Sequence, residues 1–293
     1  MTLVKGEWSM GRAVTEVTQL GCPISPLACA AMATPSRKER LAELRREPPQ
    51  FRRATLASKV ELTPRMMRVT LIGDELDDLV IDEPAASVRL LVPSPPSDEL
   101  VIPEWNGNEF LLADGSRPAI RTFTPPFKAA GERSIDLDLV LHDGGAASAW
   151  AQRAEVGAEV ALSGPGRGFS VDPACPSFLL LGDETAIPAI RQLLTVLPAG
   201  ATVEVHVEVA EPDARIDLGA PEQVTVEWHD LLPAAAPGDT LVAAVETASI
   251  AVDGHVWAAG EAAAVHRIRG HLFDVVGLTR SSATVRGYWK LRE

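Results

Sequence analysis

From Phe51 to about Asp172 the chain alternates apolar and polar residues in short runs, punctuated by proline and glycine. ATLASKVELTP and RMMRVTLIG read as two strands hinged at Thr63-Pro64. SVRLLVP (87–93), AIRTFT (119–124), SIDLDLVLH (134–142) and EVALSGP (159–165) read as four more. In SIDLDLVLH, Ile135, Leu137 and Leu139 take one face and Asp136, Asp138 and Val140 the other, the period of a half-buried strand. One short helix is predicted over 146–154. Six strands separated by turn signals predict a small antiparallel Greek-key β-barrel.

The pattern changes after Pro173. SFLLLGD (177–183) is a continuous apolar run, as expected of a strand buried on both faces. A helix over 185–197 follows, then ATVEVHVEV with Val203, Val205, Val207 and Val209 in alternation, then VTVEW (224–228). A helix over 239–249, the buried strand HVWAAG (255–260), a helix over 261–273 and the strand ATVRGYWK (283–290) complete the chain. Strand and helix alternate, which predicts a parallel α/β sheet with crossover helices. The expected organisation is an N-terminal extension over 1–49, disordered or helical, a barrel over 50–173 and an α/β domain over 174–293. Met32 is a second candidate start.

Charge and composition narrow the function. The net charge of -13 argues against nucleic acid or an anionic membrane as a partner of the whole surface. No run of 18 apolar residues suggests a membrane span. Cys22, Cys29 and Cys175 show no metal-ligand spacing and leave one thiol over, so a reducing cytoplasm is expected. The six histidines form no HxxxH or HxH pair on one element, and His206, alternating with valines, is expected to point outward; no metal site is predicted.

Four stretches carry candidate chemistry, and a fifth reads as a turn. In AIRTFTPP, Arg121 and Phe123 share one face and Thr124 takes the other. A guanidinium forks onto phosphate, and a ring can lie against a planar cofactor. In LHDGGAASAWA, a strand runs into Gly144-Gly145 and small residues that open a helix, a place where backbone N–H groups can approach a pyrophosphate. An ordinary strand-to-helix turn explains the same glycines. GDET and AGEA mark the ends of two parallel strands, where ligands of open α/β sheets sit, and Thr185 reads as a helix N-cap. SGPGRGF (163–169) reads first as a Gly-Pro turn, with Ser163 a turn residue.

In their order and spacing these pieces, with WAAGEAAAVHRIRGHL and the terminal GYWK, resemble the siderophore-interacting, FAD-binding reductases, relatives of the ferredoxin-NADP reductase superfamily. The resemblance runs from about Phe51 to Lys290. It implies an FAD-binding barrel, an NAD(P)H-binding-like domain and reduction of a ferric siderophore with release of Fe(II). Carried over by position, Arg121, Thr122, Phe123 and Thr124 would contact FAD. His142, Asp143, Gly145, Ala146, Ala147 and Ser148 would line its ribityl and pyrophosphate. Asp183, Thr185, Ala186 and Glu261 would sit near the nicotinamide, with Tyr288 and Trp289 at the flavin or the domain junction. Lys290 would meet an anionic siderophore; Lys128 and Arg292 are weaker candidates. Two departures stand out: Phe123 replaces the family's usual tyrosine, and Pro125-Pro126 stand where a basic residue is common.

Other readings stay open. One is a siderophore-binding or flavin module without turnover, and another is a flavin reductase feeding a protein partner. Reduced ferredoxin is an alternative donor to NAD(P)H. Arg215 lies where a 2′-phosphate ligand could sit, but Asp213 and Asp217 flank it.

Overall fold

The computed structural model describes residues 50–93 and 99–291. The expected 1–49 extension, Cys22, Cys29, Met32 and Arg292 lie outside the described residues.

The alternating runs of the first half form β1 (Arg52–Thr63), β2 (Met66–Ile72), β3 (Val88–Val92), β4 (Glu104–Trp105), β5 (Phe110–Leu111), β6 (Ala119–Phe123), β7 (Ser134–Val140), α1 (Ala146–Arg153) and β8 (Glu159–Ser163). Six of these strands make one antiparallel sheet in the order β6-β3-β8-β1-β2-β7. Neighbours such as β8 and β1 are distant in sequence, as in a Greek key. All six strands direct alternate residues into one core that includes Leu56, Leu71, Leu90, Leu137 and Leu162, with Phe123 packed against it. A sheet with a single shared interior curls into a barrel. Trp150 of α1 enters the same core.

The short ribbon β4–β5 was not expected from the pattern. Its turn carries an Asn106-Gly107 signal, with the Asn106 side chain accepting from the N–H groups of Asn108 and Glu109 at 2.9 Å each. Phe110 packs between Trp105 and Phe51, at ring-centroid distances of 4.9 and 5.2 Å. Two residues per strand are too few for a period to register.

The second half forms β9 (Ser177–Asp183), α2 (Ile187–Val196), β10 (Thr202–Val209), β11 (Thr225–Asp230), α3 (Asp239–Thr247), β12 (His255–Glu261), α4 (Ala262–Gly270) and β13 (Ala283–Trp289). The sheet is parallel throughout, in the order β11-β10-β9-β12-β13. The apolar run of β9 is central and buried on both faces: Leu180 packs with α2, and Leu179 and Leu181 with α3 and α4. The two helices expected over 185–197 and 261–273 are shorter as α-helices. A 3-10 turn over Glu184–Ala186 precedes α2, whose second residue is Pro188, and a π turn over His271–Val275 follows α4.

Barrel and α/β sheet meet along a polar seam. The buried Gln192 of α2 accepts from Ala85 N–H at 2.9 Å and donates to the Pro125 carbonyl at 2.8 Å. Arg286 of β13 donates to the Gly168 carbonyl at 2.6 Å, and Arg65 at the β1–β2 turn pairs with buried Glu184 at 3.0 Å. The SGPGRGF segment serves as a strap here: Gly166 and Phe169 donate to the Ser87 and Pro84 carbonyls, and a Cβ on Gly168 would lie 2.3 Å from Glu83.

Gln192→Ala leaves the buried Ala85 N–H without its acceptor, which costs about 1–3 kcal/mol. Urea unfolding should show a lower midpoint for Q192A; an unchanged midpoint would show that the Gln192 bridge contributes no net stability.

Candidate functional site

The chain enters the parallel sheet at β9, extends to β10 and β11 on one side, then returns to β12 on the other. That reversal places a topological switch point at the C-terminal ends of β9 and β12, where open α/β sheets bind ligands. Asp183 and Glu261 stand at those two ends.

Asp183 is buried and draws four donors. Its Oδ1 accepts from Thr185 N–H at 2.9 Å and from the Thr185 hydroxyl at 2.5 Å. Its Oδ2 accepts from Glu261 N–H at 3.0 Å and from the Trp289 indole N–H at 2.7 Å. The neighbouring glycines are explained by close packing, Gly260 against this carboxylate and Gly182 against the turn before α2. A Cβ on Gly260 would lie 2.6 Å from Asp183 Oδ2, and one on Gly182 would collide with Ala186. Burial pushes the Asp183 carboxyl up to about 6, against the lowering effect of its bonds to Thr185 and Trp289. The expected Thr185 N-cap is corrected: Asp183 is the capping residue and Thr185 the one capped. A free hydroxyl at 185 for an anion is therefore not available.

Glu261 caps α4. Its Oε2 accepts from the N–H groups of Ala263 and Ala264 at 2.5 and 3.0 Å, and its Oε1 from Leu291 N–H at 3.2 Å. Burial opposes its charge, but these backbone donors prevail and hold the carboxyl below its usual range. Tyr288 is half-buried, with its phenol near the buried Thr124. Burial pushes its phenol above the usual range. The end of β13 thus brings Tyr288 near Thr124, just past β6, and bonds Trp289 to Asp183 at the switch point. Ala186 is fully buried in the α2 core, and Lys290 stands exposed just past β13.

On the barrel side, α1 packs beside β6 and β7, so RTFT and HDGGAAS share one neighbourhood, and the end of β7 touches the Glu184–Ala186 turn. Arg121 and Thr122 are exposed. Arg121 Nη1 donates only to the adjacent Ile120 carbonyl at 2.8 Å, and among the described residues no carboxylate pairs with it. Phe123 is half-buried against the barrel core. At the start of α1, Gly145 offers no side-chain cap to the first-turn N–H groups. It is also a place of close approach, because a Cβ there would lie 2.6 Å from the His142 ring. Ser148 is buried, and its hydroxyl bonds the Val140 carbonyl and His142 N–H at 3.3 and 3.2 Å, which holds the turn shape. Ala147 is buried in the barrel core, while His142 and Asp143 are exposed and Ala146 is partly so. An uncapped helix start beside an unpaired arginine suits a diphosphate.

Several expected residues serve elsewhere. Lys128 is buried, its ammonium donating to the Leu76 and Leu79 carbonyls at 2.6 and 2.9 Å, so it cannot meet a siderophore. Arg215 pairs with Asp230 at 2.6 Å. His206, expected outside, is only 4 % exposed; Glu204, Glu227 and His229 surround it on β10 and β11. Gln192, Arg65 and Arg286 were not singled out from sequence, since nothing local marks a polar residue whose partner lies in the other half of the chain.

A carboxyl whose folded ionisation lies above its unfolded one holds its proton longer in the folded state. Folding is then favoured below the unfolded value and loses that advantage as pH rises toward 6. Relative to Asp183→Asn, the wild type should lose about 3 kcal/mol of stability between about pH 4 and pH 7, from two units at about 1.36 kcal/mol each. Urea unfolding at each pH measures the difference; a difference that is flat or grows with pH refutes the raised ionisation.

Comparison with known proteins bears on this geometry. The siderophore-interacting FAD-binding domain family matches residues 55–169, and the siderophore-interacting protein family matches residues 175–292. An uncharacterized Mycobacterium tuberculosis protein is 36% identical over 244 residues, 78% of this chain and 86% of that one. The ferric vibriobactin reductase ViuB of Vibrio cholerae is 27% identical over 236 residues, 79% of this chain and 86% of that one. A siderophore utilization protein from T. fusca has a similar structure, with a TM-score of 0.73 and 33% identity, covering 83% of this chain and 94% of the other. No helix among the described residues is long and apolar enough to cross a membrane. The antiparallel barrel joined to a five-stranded parallel sheet, and these likenesses across both halves, make the chain a member of the siderophore-interacting protein family, with an FAD-binding domain followed by a siderophore-interacting domain.

Proposed function

We propose that this chain reduces ferric siderophores with electrons from NAD(P)H, using FAD held at the barrel. The observation that carries the reading is the uncapped start of α1 at Gly145, beside Arg121, which pairs with no carboxylate among the described residues, and next to the switch point of the parallel sheet. The first-turn N–H groups of α1 and the Arg121 guanidinium would hold the cofactor's diphosphate. Phe123, still partly exposed, would lie against its planar part, with the buried Thr124 behind it. When bound, FAD supplies the conversion of a hydride donor into single-electron transfers.

The reaction balances as one NAD(P)H and two Fe(III) giving NAD(P)+, one proton and two Fe(II). The chain's own part is orientation. The ends of β9 and β12 offer a place for the nicotinamide beside Asp183 and Glu261, both of which are fixed by bonds to backbone. Lys290, exposed beyond Trp289, offers a cation for an anionic siderophore. The relative ViuB is named a ferric vibriobactin reductase, which supports the substrate class.

The purified chain should show flavin absorption after addition of FAD, and should oxidise NADH or NADPH only when a ferric siderophore is present, with Fe(II) captured by a colorimetric chelator. Arg121→Ala removes charge-assisted hydrogen bonds of about 1.5–3 kcal/mol, so FAD affinity should fall about 10- to 150-fold in a fluorescence titration. Unchanged FAD affinity in R121A would remove Arg121 from the site. FAD binding without nicotinamide oxidation would favour a module without turnover, and turnover on dyes but never on a ferric siderophore would favour service to a protein partner.

A further inference from the structure

β10 and β11 lie side by side and parallel, with His206 opposite Glu227 and Glu208 opposite His229. Val203, Val205, Val207 and Val209 of β10 face the α2 core, which turns Glu204, His206 and Glu208 to the opposite face. Glu208 is fully engaged there, accepting from Gly238 N–H, Thr240 N–H and the Thr240 hydroxyl at the start of α3. His206 is not engaged by a helix. Its Nε2 lies 2.8 Å from Glu204 Oε1, and its Nδ1 lies 2.9 Å from His229 Nε2 and 3.7 Å from Glu227 Oε2.

The tautomer follows from the partners. A carboxylate only accepts, so His206 Nε2 carries the hydrogen and donates to Glu204. The lone pair of Nδ1 then points toward His229 and Glu227. The ligand atoms of His206, Glu227 and His229 all lie within 4.8 Å of one another. Glu204 stands behind His206 as the carboxylate that orients a metal-bound imidazole stands behind it in known sites. Glu227 is exposed at the sheet edge, which leaves room for water to complete a coordination shell.

We propose that His206, His229 and Glu227 form a binding site for a borderline divalent transition ion such as Zn(II), with Glu204 orienting His206. Two imidazoles and one carboxylate suit Zn(II), Co(II), Ni(II) or Fe(II) rather than Mg(II) or Ca(II), which take oxygen ligands. Ion-to-nitrogen bonds of about 2.0–2.1 Å in tetrahedral geometry set neighbouring ligand atoms about 3.3 Å apart. The His206–His229 separation would open by roughly 0.4 Å and the His206–Glu227 separation would close by a similar amount, within reach of side-chain rotation at an edge strand. The ion takes the place of the single hydrogen now shared by the two rings. The site is on the face of the sheet covered by α3, uses none of the residues assigned to FAD or nicotinamide, and stands independently of the proposed reaction.

The test is calorimetric titration of the tag-free, chelator-treated full chain with ZnCl2, alongside thermal unfolding with and without Zn(II). One ion per chain should bind with a Kd in the micromolar range or below and raise the Tm. His229→Ala and Glu227→Gln, both at the accessible edge, should each weaken binding at least about 10-fold, and Glu204→Gln about 10- to 100-fold through the oriented His206. MgCl2 should give no saturable heat, and His266→Ala, on the exposed side of α4, should bind as wild type. No saturable Zn(II) binding, or wild-type affinity in H229A and E227Q, overturns the site. Loss of binding only when Cys22 and Cys29 are replaced by serine also overturns it, since the ion would then belong to those thiols.

Discussion

A buried carboxylate at the end of the central strand holds the ends of three neighbouring elements of the parallel sheet together. Asp183 lies at the C-terminal end of β9 and accepts from the turn before α2, from β12 and from β13. Burying one acidic group with four donors is favourable only if every donor stays in place. That requirement fixes the Glu184–Ala186 turn, the close pass of Gly260 and the position of Trp289. The same requirement sets the spacing of GDET and AGEA, two motifs that are far apart in sequence and adjacent at the switch point.

From this anchor the site extends into the barrel by short steps. Trp289 on Asp183 is followed back along β13 by Tyr288 near Thr124, and Thr124 comes just after the strand that carries Arg121. Arg65 reaches Glu184 from the β1–β2 turn, and Gln192 fastens α2 to two barrel loops. These contacts are polar, directional and mostly buried, so they specify one relative placement of the two sheets rather than a range. A cofactor held at β6 and α1 would then face the ends of β9 and β12 without a hinge between them.

The glycine at 145 and the glycine at 260 show how backbone freedom is used. At Gly145 the His142 ring occupies the volume of a Cβ, and at Gly260 the Asp183 carboxylate does so. In both cases the glycine admits a neighbouring side chain, and the turn geometry alone does not account for it. The His206 cluster follows a different logic. It arises because two parallel strands in register bring residues 206, 227 and 229 to one face, with a carboxylate at 204 on the same face of β10.

The sequence by itself determined most of the elements and the family. Period-2 runs bounded by Pro and Gly gave the barrel strands, and the unbroken SFLLLGD run gave the central parallel strand, because burial on one face or two leaves different spacing patterns. The RTFT, HDGGAAS, GDET and AGEA segments carried enough order and spacing to reveal the family. Only the tertiary structure decided which polar groups were partners. Asp183 rather than Thr185 as the cap, Gln192 and Arg286 as seam residues, Lys128 as a buried donor and His206 inside the sheet all depend on atoms distant in sequence. A side chain's hydrogen bond partner leaves no periodic trace along the chain, and a two-residue strand such as β4 is too short to leave one.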